Sequence, residues 1–149
     1  MLAQTRGRIA TRTLRTAATS AFAAAAVIGG SAIAAADAPA PAPQELQSSL
    51  NQFVDPGIPA AAKTKLIVGG DRRQGNIEKM NKGLANYGKV GFTVSNVQSK
   101  GDTANAQVAI SSPHGTMPGV PMTWQHTAAG WQISDGTACV ILAMGKAPC

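Results

Sequence analysis

Residues 90–95 (VGFTVS) and 104–110 (ANAQVAI), on either side of Lys100-Gly101-Asp102, place apolar side chains at every second position: Val90, Phe92 and Val94, then Ala104, Ala106, Val108 and Ile110. A period of two is that of a strand with one buried face, and Lys100-Gly101-Asp102 supplies the turn that makes the two runs an antiparallel pair. A third run has Val120, Met122, Trp124 and His126 on one face. A fourth, Gly130 to Ser134, does the same with Trp131 and Ile133, and Ala128-Ala129-Gly130 closes the hairpin between them.

Upstream of Gly88 the period is helical. Leu46, Leu50 and Phe53 fall at i, i+4 and i+7 of Gln44–Val54, with Pro43 just ahead and Asp55-Pro56-Gly57 as the stop. A second apolar piece, Ala60–Val68, reads as a short helix ended by Gly69-Gly70. In Asp71–Tyr87, Ile77, Met80, Leu84 and Tyr87 make an amphipathic stripe; Asp71 with Gln74 forms a capping box, or Gly75-Asn76 delays the start by a turn. Downstream, Asp135 or Thr137 caps a last helix that carries Cys139, Val140, Leu142 and Ala143 and ends at Gly145. The order predicts an α+β fold: N-terminal helices, then a curved antiparallel sheet of about four strands, then a C-terminal helix, with the helices on one face of the sheet.

The N-terminus reads as a targeting signal. Residues 1–20 bear arginine and no acid, and Ala21–Ala36 is a 16-residue apolar run ending in Ala34-Ala35-Ala36. This is the layout of a secretory signal, with cleavage expected between Ala36 and Asp37. The run falls short of the roughly 20 apolar residues of a spanning helix, so no stable membrane insertion is expected after signal removal. No Arg-Arg pair precedes it and no cysteine follows the cleavage point, so neither twin-arginine export nor a lipid anchor is expected. Residues 1–36 are therefore read as signal peptide, 37–43 (DAPAPAP) as a stiff Ala/Pro spacer and 44–149 as one domain. The net charge of +6 changes meaning accordingly. Four of the thirteen bases, Arg6, Arg8, Arg12 and Arg15, lie in the acid-free first 36 residues, which leaves nine bases against seven acids and no footprint for nucleic acid.

The residues that could carry chemistry are few. Cys139 and Cys149, ten residues apart behind an export signal, are expected to form a disulfide that pins the C-terminus. No Cys-x-x-Cys spacing and no nearby histidines point to a redox or metal pair, so neither metal nor cofactor is predicted. His114 sits in the turn Ser111–Gly115 and His126 on a strand face beside Trp124. They read as a solvated and a sheet-face histidine, since no nucleophile elbow accompanies them. Asp135 reads as a helix cap. Gly69-Gly70-Asp71-Arg72-Arg73 could offer an anion backbone donors and two guanidiniums, but lacks the ending of a phosphate loop.

Leu50–Pro56 (LNQFVDP), Val68-Gly69-Gly70, Phe92–Gln98 (FTVSNVQ), the Ala106–Pro113 strand and Gly130–Ser134 (GWQIS), taken in order and spacing from about residue 45 to 143, resemble the C-terminal domain of the low molecular weight T-cell antigen family of mycobacteria and related actinobacteria. A glutamate often stands in that family where this chain has Val68, so no role of that acid carries over. The resemblance implies a small secreted or cell-wall-associated protein of cystatin- or NTF2-like fold, antigenic in some members, and it supplies no catalytic residues.

Three functions compete on these grounds. The first is a secreted, non-catalytic protein of the cell envelope or culture fluid that acts by binding an envelope component. The second is a carrier of a small apolar or lipidic ligand in a sheet-lined pocket, with Phe92, Met122, Trp124 and Trp131 as lining. The third is an isomerase or hydrolase of the NTF2-like kind, which requires at least two of His126, Asp135 and Tyr87 to converge in one pocket.

Overall fold

The computed structural model describes residues 36–149. The expected signal segment lies outside the described residues apart from Ala36. Pro43 opens helix α1 (Pro43–Val54), where its missing N–H is an orphan in any case, and Leu46, Leu50, Phe53 and Val54 form its buried face. The helix ends at Asp55, whose carboxylate accepts the Gly57 amide at 2.8 Å.

Helix α2 (Ala60–Lys63) is shorter than the expected helix over 60–68. It tightens into a 3-10 turn over Thr64–Leu66, after which the chain extends. Ile67 makes a parallel bridge to Ile133, and the Val68 amide donates to the Ile133 carbonyl at 3.0 Å, so this apolar pair serves as a sheet margin instead of a helix face. Gly69 turns the chain at φ 64°, and Gly70 passes so close to the first turn that a Cβ there would sit 2.0 Å from the Thr64 carbonyl oxygen. A second 3-10 turn, Gly70–Arg73, delays helix α3 to Gln74–Leu84, and no side chain caps it, so the Asp71–Gln74 box does not form.

The sheet is a meander of β1 (Gly91–Lys100), β2 (Thr103–Ser112), β3 (Gly115–Thr127) and β4 (Gly130–Ile133), antiparallel throughout and ordered as in sequence. Pairs such as Val94 with Val108, Ala106 with Met122 and Trp124 with Ile133 line up on one face, which packs against α1, α3 and the last helix. Two register shifts, at Ser95/Gln98 and at Val108/Ile110, bend the strands. Trp124, fully buried, donates its indole N–H to Ser49 Oγ at 3.1 Å, and Ser49 donates in turn to the Leu46 carbonyl, so α1 is keyed to β3 by a satisfied polar chain inside the core.

Helix α4 (Asp135–Met144) is capped by Ser134, whose hydroxyl accepts from the Thr137 amide, and not by Asp135 or Thr137. Thr137 is used elsewhere: its hydroxyl accepts the Thr123 amide of β3 at 2.8 Å. The buried face is Thr137, Ala138, Ile141 and Leu142, which leaves Val140 outside. At the other end the Ala147 amide bonds to the Leu142 carbonyl and the Lys146 amide to that of Ala143, a Schellman arrangement. Its left-handed position is held by Lys146, φ 57°, where glycine is usual. Cys139 and Cys149 form a disulfide, and Asn76 of α3 donates to the carbonyls of Ala147 and Pro148, so the tail is tied to both neighbouring helices.

The proline segment ahead of α1 is laid on the fold. Trp131 donates its indole N–H to the Pro39 carbonyl at 3.1 Å, and Pro41 is buried.

Two glycines test the contact at Gly70. Gly70→Ala should lower unfolding free energy by about 2–3 kcal/mol, as an overpacked site does, because the atom it meets is backbone. Gly75→Ala, in α3 with nothing within 4 Å of the new carbon, should raise it by about 0.5 kcal/mol. Urea titrations that gave the two changes the same sign would refute the packing argument.

Candidate functional site

Where the C-terminal ends of α3 and α4 face the β2–β3 end of the sheet, they leave a groove of about 720 Å³. Its floor is apolar: Met80 and Leu84 from α3, Phe92 from β1, Ile110 from β2 and Ile141 from α4. Its lips are apolar too. Tyr87 is 42% exposed, Met117 54% and Met144 44%; with Val140 these are the exposed large apolar side chains among the described residues, and three of the four converge here. Large apolar side chains exposed together, unlike ones scattered singly, call for an explanation. Three of the five methionines, Met80, Met117 and Met144, line it, and unbranched thioethers repack around varied shapes.

Local geometry fixes the lip. Gly88 takes φ 98° and lies where a Cβ would meet the Pro113 ring at 2.7 Å, which draws the α3–β1 loop against the β2–β3 turn. Tyr87 and His114 consequently meet with ring centroids 5.3 Å apart and planes tilted by 48°. At the other lip stands Lys146, the one formally charged side chain in the lining. A smaller hollow of about 530 Å³ shares Val54, Val90 and Phe92 with the groove and adds Asp55 and Lys89.

Of the four residues expected to line a pocket, Phe92 does so. Met122 and Trp124 are 1% and 0% exposed and belong to the packed core, because β3 turns them toward α1 and α4. Trp131 is half-buried at the opposite end of the sheet, covered by Pro39 and meeting the His126 ring edge-on at 5.2 Å. The acid–base trio is dispersed. Tyr87 lines the groove; His126 lies against Trp131; Asp135 is held by Arg73 through two bonds of 2.9 and 2.8 Å. That bidentate pair keeps the Asp135 carboxyl below the usual carboxylate range and raises the Arg73 guanidinium. It takes one of the two guanidiniums out of the Gly69–Arg73 segment; the other, Arg72, stays exposed with a long 3.4 Å bond from Nε to the Gly69 carbonyl. Among the described residues no three of His, Cys, Asp and Glu cluster as metal ligands would. Met117, Met144 and Lys146 were missed by sequence reasoning: two lie at element ends, and only the folding-back of the tail brings them opposite Met117.

The profile described as "Low molecular weight antigen MTB12, C-terminal domain" matches residues 39–149. The chain belongs to this family. Two relatives, both "Putative lipoprotein LppK", from Mycobacterium tuberculosis strains CDC 1551 / Oshkosh and ATCC 25618 / H37Rv, are each 28% identical over 118 residues. The alignment covers 74% of this chain and 62% of each relative, so the chain spans less than two thirds of their length. The MTB12 match begins at Pro39, the residue whose carbonyl receives Trp131, and runs to Cys149. The docked prolines and the tied tail thus both fall inside the family's domain. No helix among the described residues is long and apolar enough to cross a membrane.

One further titratable group stands out. Lys63 is 0% exposed, its ammonium donates to Asn81 Oδ1, and Asn81 donates onward to the Ile58 carbonyl at 3.0 Å. Burial lowers its pKa from 10.5 to about 8, against an opposing attraction from Asp55. Lys63 lines neither hollow, so it is a structural group. Below pH 8 it is charged in both folded and unfolded chains and the burial penalty is fully present. Between pH 8 and 10.5 the folded side chain gives up its proton first, so stability rises, by about 3 kcal/mol in total for a shift of this size. Lys63→Met should remove that rise. Parallel stability–pH curves for the two proteins between pH 7 and 10.5 would contradict it.

Proposed function

We propose that the chain is an extracytoplasmic, non-catalytic binding protein of the cell envelope or culture fluid whose groove takes a small ligand with an apolar chain. The observation that carries the proposal is the convergence of Tyr87, Met117 and Met144, all solvent-exposed, on an apolar floor of about 720 Å³, a size within the range of small-molecule sites. A family of antigens and relatives named as lipoproteins support the location. So do the signal-like first 36 residues and the Cys139–Cys149 disulfide, a bond that persists in oxidising compartments. Against catalysis stands the dispersal of Tyr87, His126 and Asp135 over three neighbourhoods.

The reading is tested with a neutral probe, 1-decanol, titrated into isotope-labelled protein and followed by amide and methyl chemical shifts. Shifts should concentrate on Met80, Leu84, Met117, Ile141 and Met144. Met117→Glu, which puts a carboxylate into the groove from an exposed strand position, should weaken binding at least tenfold and leave thermal stability within about 0.5 kcal/mol of wild type. Shifts centred on Trp131, or no saturable shifts at all, would dismiss the groove as the site.

A further inference from the structure

We infer that the groove selects an anionic single-chain amphiphile, a fatty-acid-like carboxylate with its head at Lys146 and its chain along Met80, Leu84 and Ile141. The inference rests on the apolar-groove reading above and adds the ligand's charge. Its lining contains no Asp or Glu, and Lys146 is its one formally charged member. An ammonium at the edge of an apolar trough is complementary to a head group that is negative and a chain that is not.

The backbone under Lys146 is a second observation. Lysine is a poor choice at φ 57°, where glycine or asparagine would be relaxed, yet a lysine occupies this point of the Schellman turn. The turn is held by the bond from the Ala147 amide to Leu142, by Asn76 on the Ala147 and Pro148 carbonyls, and by the Cys139–Cys149 disulfide. Backbone strain maintained by surrounding ties is typical of positions where a side chain must be presented to something. The disulfide therefore serves the groove as well as the fold: it holds the residue that sets ligand charge. A lone lysine, with no guanidinium fork and no helix N-terminus beside it in the lining, suits a monoanionic carboxylate better than a phosphate dianion.

The test compares decanoate, 1-decanol and decyl phosphate at pH 7.5 by calorimetry and shift mapping. Decanoate should bind about fivefold tighter than decanol in low salt, with the advantage shrinking as salt is added. Lys146→Asn, which keeps a residue at ease in the left-handed conformation, should erase the advantage, bringing decanoate affinity down to that of decanol in the same variant; Lys146→Arg should preserve it. The double variant Cys139→Ser/Cys149→Ser should lose most of the advantage while still binding decanol. If decanol and decanoate bind alike, or Lys146→Asn changes nothing, the charge assignment falls and the apolar groove stands. If decyl phosphate binds more than tenfold tighter than decanoate, the carboxylate assignment falls. An unchanged preference in the cysteine variant overturns the role given to the disulfide, and failure of all three probes to bind overturns both this inference and the groove reading beneath it.

Discussion

A four-stranded sheet with one apolar face must cover that face, and the helices of this chain are too short to do so. Strands β1 and β2 have ten residues each and extend about 33 Å. Helix α1, with 12 residues, spans about 18 Å, and α4, with 10, about 15 Å. The helices cover the middle, where Trp124, Met122, Val108 and Ala106 are sealed. The two ends are treated differently. At the end marked by the Lys100–Thr103 turn, the proline segment lies over Trp131 and contributes the Pro39 carbonyl as acceptor. At the other end, beside the Pro113-His114 turn, no such segment among the described residues covers the exposed Met117, and the groove opens above the buried Phe92 and Ile110.

The C-terminal tail decides the form of that groove. Without residues 145–149, α4 would end at an unfastened turn, and the groove would lose the lip that carries Gly145 and Lys146. Gly145 lies where a Cβ would meet Met80 Cγ at 2.9 Å, so a larger residue at this point would have to displace the Met80 side chain of α3. The disulfide then closes a loop of ten residues, worth about 2–3 kcal/mol in the chain-entropy account. That gain exceeds the strain of one left-handed lysine, roughly 1–2 kcal/mol. The tail is thus stable in a conformation that its own sequence would not choose.

Much of the fold was legible, and where it was not, the reasons are particular. The α+β class followed from the change of period after Gly88, and the buried sets of β1 and β2 followed from strict alternation. Alternation also explains the failure at Met117. In β3 the inward residues Val120, Met122 and Trp124 are even-numbered, so a strict period of two puts Met117 outside. The one-residue register shift that pairs Val108 with Val120 but Ile110 with Met117 reverses the parity and brings Met117 to the groove side. The same device acts in β1, where the shift after Ser95, with Asn96 at φ 52°, lets Val97 pack against the core. Bulges leave no simple mark in hydrophobic spacing. Pro118 was the available cue, since proline within a strand is confined to edges and irregularities. Trp124 and Trp131 were named as lining only for the case of a ligand carrier, because aromatic size predicts burial and sequence does not say whether that burial is against the protein or a ligand.

Charge completes the argument about function. Outside the signal-like segment nine bases face seven acids, too even a balance to steer a partner from a distance. Locally the balance is more uneven. Arg73 and Asp135 satisfy each other, which leaves the Gly69–Arg73 segment with Arg72 alone, and Lys63 is committed to Asn81 inside the fold. These internal uses occupy Arg73 and Lys63 within the protein. Lys146, inconspicuous near the end of the chain, is left at the edge of an apolar trough with no carboxylate in the lining to answer it. Selectivity at such a site comes from one short-range contact superimposed on non-directional burial. The apolar trough would accept many chains, and the single cation would discriminate among their heads.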